Sequence, residues 1–185
     1  MAESITARAG RAHPPGAGAL VSVALVPPAT RLSFRGARAA AEACAAAFGC
    51  ALPAEACRAA EAEHRAALWL GPDEWLLMAP DGDAPALAAA IETAAAGIPH
   101  ALVDISHRQV GLAVAGARAA VLLNSGCPLD LDLAAFPVGM CTRTVLAKCD
   151  VALWRRAPEV FRLEVNRSFA DYAAGYLRQA ERGLV

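Results

Sequence analysis

VDISHRQVGLAVAGARAAVLLNSGCPLDLDLAAFPVGMCTRT, residues Val103–Thr144, is the stretch whose reading decides the fold. It opens on a polar Asp-Ile-Ser-His-Arg turn. A strand follows over Gln109–Ala115, ending at Gly116, and then a helix over Ala117–Asn124. An Asn-Ser-Gly-Cys-Pro break stops that helix. The alternating Leu-Asp-Leu-Asp-Leu run at Leu129–Leu133 reads as a half-buried extended segment, and a Phe-Pro-Val-Gly turn leads into a strand over Met140–Lys148.

The pentapeptide GARAA at Gly116–Ala120 also stands at Gly36–Ala40, each time after a strand. Working outward, Ala152-Leu153-Trp154 matches Ala67-Leu68-Trp69, each before a hairpin turn. Two landmarks in the same order at nearly the same separation indicate a duplicated unit. In the first copy the order is a strand at Thr30–Arg35, a helix at Ala37–Phe48 closed by Gly49, a hairpin of Ala66–Leu70 and Trp75–Ala79, a helix from Pro85 to Ala96, and a strand at His100–Ile105. In the second, strands at Asp150–Arg155 and Val160–Val165 precede a last helix capped by Ser168 and running to Glu181. Leu20–Val26, stopped by Pro27 and Pro28, reads as an edge strand, and Pro53–Arg65 as a loop with a helical turn.

The fold class expected is therefore α+β. It consists of duplicated ferredoxin-like strand-helix-strand-strand-helix units, with mostly antiparallel sheets and helices on one face. Residues 1–18 are expected to be a flexible arm, 19–106 the first half and 107–185 the second, closely packed.

Composition narrows the function classes. The 185 residues carry 17 basic and 18 acidic side chains, a formal net charge of -1, with no basic stripe that would track nucleic acid or a membrane surface. Glu92 and Arg118 interrupt the two longest apolar runs, so no bilayer span is expected and the cytoplasm is the expected location. Hydrophobic residues reach 57% but aromatics only 5%, and much of the remainder is Ala, so packing must rely on close helix-to-sheet approach. The six cysteines contain no Cys-x-x-Cys pair and read as small buried apolar side chains, with no metal set expected. Neither GxGxxG nor GxxxxGK[ST] follows a strand, and GxSxG and HExxH are absent, so no catalytic or cofactor-binding residue is assigned in this chain.

Asp104, Ser106, His107 and Arg108 form the densest polar cluster. One reading makes Arg108 an anion ligand and His107 an acid-base group. The other has Asp104 and Ser106 hydrogen-bonding local backbone at a strand end, with Arg108 facing solvent or a protein partner, and this second reading is preferred. Arg143, inside a strand, and Arg167, before the last helix, are candidate interface or anion contacts. His64 and His100 read as isolated surface or edge residues, and His13 lies in the arm. Trp69, Trp75 and Trp154 read as core residues with satisfied indole N–H groups.

With these residues laid out, VDISHR, GARAAVLLNSGCPLDLDL, FPVGMCTRT, Leu153-Trp154-Arg155 and VNRSFADY together resemble the gamma-subunit family of heterotetrameric sarcosine oxidases. The first half fits through the LSFRG strand end and the LWLGPDEWLL hairpin. More distantly, Asp104-Ile105-Ser106, the strand to Gly116 and the Gly139 turn are similar to the folate-binding aminomethyltransferase family. The first resemblance implies a subunit without an active site in a complex that oxidises sarcosine to glycine with oxygen and tetrahydrofolate. FAD, FMN and NAD would lie in the large partner subunits and zinc in the smallest. The alternatives are a free-standing folate-binding, aminomethyltransferase-like protein, with His107, Asp104 and a Trp as its site, and a homodimeric interaction module.

Overall fold

The computed structural model of the chain describes residues 20–184, so the expected arm at 1–18 lies outside the described residues. In chain order the elements are β1 (Ser22–Leu25), β2 (Thr30–Gly36), α1 (Arg38–Phe48), β3 (Ala59–Ala62), β4 (Arg65–Gly71), β5 (Glu74–Ala79), α2 (Ala84–Ala94), β6 (His100–Asp104), β7 (Gln109–Ala115), α3 (Ala119–Asn124), β8 (Cys141–Leu146), β9 (Cys149–Ala157), β10 (Val160–Asn166) and α4 (Ala170–Glu181). They form two compact units. One comprises 28–109 with 139–142, the other 20–27, 110–138 and 143–184.

In the 28–109 unit the sheet order is β3-β4-β5-β2-β6. The central pair is antiparallel, with Leu32 opposite Leu77 and Phe34 opposite Trp75. These four side chains share one face and join Phe48 of α1 and Ile91 of α2 in a single apolar core. Full burial of side chains of this size contributes about 1.5–3 kcal/mol each. Helix α1 presents Ala40, Ala41, Cys44 and Phe48 to that core, a stripe repeating every three or four residues, and small residues on it permit the close approach expected from the composition. Gly49 ends it in the left-handed region at φ 71.

The second sheet reads β8-β9-β10-β7-β1. Placed strand for strand against the first, β8 matches β3, β9 matches β4, β10 matches β5, β7 matches β2 and β1 matches β6. Each GARAA thus joins a central strand to its helix, and each Ala-Leu-Trp lies on the corresponding hairpin strand. The duplicated ferredoxin-like architecture is present, with antiparallel registers such as Leu163 opposite Leu153. Helix α4 buries Ala170, Ala173, Ala174 and Leu177 and leaves its polar face outward.

The place that β6 fills in one sheet is filled in the other by β1, antiparallel to β7 with Val23 opposite Val114. Because α4 is followed by no further strand among the described residues, the edge of β7 is covered from the N-terminal side. Residues 20–27 therefore group with the second half, not with 28–109 as a division at residue 106 would have them.

Three local readings also change. Pro53–Arg65 contains strand β3, whose Ala-Ala-Glu-Ala sequence has little intrinsic strand preference and is held by pairing with β4. Leu129–Leu133 is not extended. The Asp130 and Asp132 carboxylates accept the N–H groups of Asp132 and Ala134 at 2.9 and 2.8 Å, and these turns bend the chain. Of its leucines Leu131 is buried, but Leu133 is exposed. Ser168 does not cap α4; it sits inside a single 3-10 turn, Arg167–Phe169, that feeds the helix without a side-chain cap.

Candidate functional site

The polar cluster is built at the end of β6. Ile105 N–H donates to the carbonyl of Arg31 on β2, at 2.9 Å, and Arg108 N–H closes a turn on the carbonyl of Ile105 at the same distance. Ser106 Oγ accepts the Arg31 N–H at 2.9 Å and donates to Asp104 Oδ1 at 2.5 Å. The same carboxylate oxygen accepts the Ser106 N–H at 2.9 Å. These two Ser106 contacts, the hydroxyl first, hold the Asp104 carboxyl below its usual value, with His107 adding in the same direction. The serine hydroxyl is engaged on both sides, accepting from β2 and donating to the Asp104 carboxylate, which is the geometry of a braced strand end.

His107 and Arg108 stand exposed on this braced turn, as Arg143 does on β8 and Arg167 does ahead of α4. The fold brings Asp104, Ser106, His107 and Arg108 together on one turn of the 28–109 unit. Arg143 and Arg167 belong to the other unit. Such a turn can present cationic groups to an acidic surface, with little ordering cost in the backbone.

Several polar residues that the sequence reading passed over are buried. Arg155, 3% exposed, donates Nη2 to the carbonyl of Leu131 at 3.0 Å and Nη1 to those of Asp132, at 3.3 Å, and Phe136. Its guanidinium lies 4.4 Å from the Phe161 ring centroid, and burial lowers its pKa. The available signal was strand parity: Val151, Leu153 and Arg155 alternate onto one face, so the arginine had to follow its apolar neighbours inward. Glu164, equally buried, accepts from Arg162 Nε at 2.6 Å. Trp75 donates its indole N–H to the Pro53 carbonyl at 2.8 Å, whereas the buried Trp154 Nε1 has no acceptor among the described residues.

His100 is not isolated. Its Nε2 lies 3.2 Å from Glu92, its Nδ1 2.7 Å from the Ile98 carbonyl, and its ring stacks on Phe34 at 5.9 Å. Five of the six cysteines are buried and Cys57 is half-buried, all as free thiols. Among the described residues no three His, Cys, Asp or Glu side chains are grouped so that they could hold a metal ion. No helix among them is long and apolar enough to cross a membrane.

Comparison with known proteins is concordant. Residues 35–182 match the family model described as the sarcosine oxidase, gamma subunit family. A sarcosine oxidase subunit gamma from Arthrobacter sp is 36% identical over 137 residues, covering 74% of this chain and 66% of that protein. The subunit gamma from Corynebacterium sp. strain P-1 is 35% identical over 122 residues, 66% of this chain and 59% of that one. The matches thus span less than two thirds of these relatives' own length, 66% and 59%. In structure, the chain is similar to a heterotetrameric sarcosine oxidase from Corynebacterium sp. U-96, solved in complex with pyrrole 2-carboxylate. The TM-score is 0.84 at 33% identity, over 90% of this chain and 86% of that one. The glycine cleavage system aminomethyltransferase T of Bartonella henselae shares the fold, at TM-score 0.66 and 16% identity, over 86% of this chain and 45% of that protein.

Proposed function

The chain belongs to the sarcosine oxidase gamma subunit family, and from that premise we propose that it is the non-catalytic gamma subunit of a heterotetrameric sarcosine oxidase, supporting assembly of the flavin-carrying subunits. The observation that carries this reading is the family match over 35–182, with a likeness of TM-score 0.84 to a chain of a heterotetrameric enzyme. The densest polar cluster supports it from the chemistry: Ser106 takes the Arg31 N–H and donates to Asp104, so the pair braces β2. In this reading FAD, FMN and NAD reside in the large partner subunits and zinc in the smallest, while tetrahydrofolate accepts the one-carbon unit in the complex. His107, Arg108, Arg143 and Arg167 meet acidic surface on those partners.

Co-expression of the chain with its neighbouring subunit genes, followed by pull-down and absorbance, tests this directly. A yellow assembly that oxidises sarcosine is the expected result. Arg108→Glu with Arg143→Glu should weaken recovery of the large subunits several-fold, since reversing a charge at an interface rim acts mainly on association. A chain that purifies alone and colourless, and whose Trp fluorescence responds saturably to tetrahydrofolate, would replace this reading with a free-standing folate-binding protein.

A further inference from the structure

Cys57 and Cys141 lie opposite each other in the 28–109 unit. Arg58 and Met140 form an antiparallel bridge, so the residues one step outward from them are Cys57 and Cys141. Cys141 N–H donates to the Cys57 carbonyl at 2.9 Å, and on the other flank Ala59 N–H donates to the Gly139 carbonyl at 2.8 Å. The Cys141 N–H to Cys57 carbonyl bond alone bounds the separation: with Cα ~1.5 Å from its own N and ~2.4 Å from its own carbonyl oxygen, the two Cα atoms lie at most ~6.8 Å apart. A disulfide spans Cα separations of ~4.4–6.8 Å. The two positions are therefore within the Cα range of a disulfide.

The two thiols differ in access. Cys57 is half-buried, in the turn that leads into β3, and its backbone is left-handed at φ 60. Cys141 is fully buried, with Sγ 3.5 Å from the Trp69 carbonyl. Burial pushes its thiol up to about 12, and the neighbouring Cys57 acts in the same direction.

We propose that Cys57 and Cys141 are a peroxide-sensitive thiol pair. The Cys57 thiolate attacks a peroxide oxygen, breaking the O–O bond and giving a sulfenic acid and water. The Cys141 sulfur then attacks the Cys57 sulfur, forming S–S, while the sulfenic hydroxyl leaves with the Cys141 proton as a second water. With hydrogen peroxide the balance is two thiols and one peroxide to one disulfide and two waters. The product clips segment 139–142, at the start of β8, to the turn before β3. The inference rests on the bridge geometry and is independent of the subunit reading.

The test is peroxide treatment of the full chain, alkylation of remaining thiols, and peptide mass analysis without reductant. A cross-linked pair containing Cys57 and Cys141, two hydrogens lighter and released by dithiothreitol, is expected, with the other four cysteines still alkylated. The oxidised chain should also melt higher than the reduced one, and this difference should vanish in Cys57→Ser, whose half-exposed turn tolerates the change. Recovery of Cys57 as a sulfinic acid or cross-linked to a second copy, with Cys141 alkylated, would overturn the proposal. So would a melting shift that persists in Cys57→Ser.

Discussion

Replacing Arg155 by Met tests whether one buried guanidinium holds the 131–136 segment in place. The substitution keeps an unbranched apolar stem against Phe161 and deletes donors that reach three carbonyls. Each buried carbonyl left without a partner costs ~1–3 kcal/mol. Asp132 is exposed and its carbonyl can turn to water, so the carbonyls of Leu131 and Phe136 dominate, for a gross loss of ~2–6 kcal/mol. Against this, methionine removes only the part of the guanidinium's desolvation cost that the three carbonyls do not already offset, and its sulfur regains part of the contact with the ring. The net expectation is a destabilisation of ~2–4 kcal/mol. At ~2–4 °C per kcal/mol for a chain of this size, the midpoint should fall by about 4–16 °C. Thermal melting followed by far-UV circular dichroism measures the fall, and amide hydrogen exchange should quicken first at Leu131–Phe136. A midpoint within about 1 °C of the parent, with exchange unchanged, would refute the argument that the guanidinium organises this segment.

Other residues give separate tests. Asp104 has a lowered folded pKa, so its contribution is present above its unfolded value, near 4, and is lost as pH falls through the folded value. The stability gap between the parent and Asp104→Asn in urea melts should accordingly be open at pH 7, though under about 1 kcal/mol for so exposed a group, and should close below about pH 4. Gly116 sits at φ 129, and a Cβ there would lie 2.5 Å from the Leu20 carbonyl oxygen. Gly116→Ala should cost about 2–4 kcal/mol. Gly97, at φ 77 with nothing within 4 Å of a Cβ, should cost only about 1 kcal/mol on the same change. Equal losses for the two glycines would remove the close-approach explanation.

Where local chemistry and tertiary position agreed, the sequence was legible. The Ala-rich run closed by Gly49, the hairpin turned by Pro72 and Asp73, and the two GARAA landmarks each carry their own signal. Several of the residues misread are those whose conformation depends on something distant in the chain. Ala59–Ala62 becomes a strand because β4 offers an edge, and 20–27 joins the second half because β7 does. At Leu129–Leu133 the period-two alternation competed with two aspartates able to make local turns, and the turns prevailed. His100 looked isolated because Glu92 is on the preceding helix and Phe34 is on β2, far earlier in the chain but next to β6 in the sheet. In the candidate site the braced strand end at Asp104–Ser106 was legible from residue types alone. The donor it receives, the Arg31 N–H, lies 75 residues away in sequence and could only come from the fold.

The two halves show how a duplicated plan absorbs a change in one element. In the 28–109 unit α1 runs for 11 residues and ends on Phe48, which fills the core. Arg65, at the start of β4, donates to the Phe48 carbonyl and lies 5.7 Å from that ring's centroid. In the other unit α3 runs for only 6 residues, and the chain leaves it for the irregular 125–138 segment. There the buried aromatic is Phe136, its carbonyl taken by Arg155 of β9, the strand that corresponds to β4. An arginine from the hairpin strand thus receives the carbonyl of a core phenylalanine in each unit, although the two arginines occupy different register positions. Ala-Leu-Trp aligns Leu70, not Arg65, with Arg155. The shared requirement is physical: a chain that stops being helical while still delivering a large side chain to the core leaves carbonyls without N–H partners, and a guanidinium can satisfy several at once.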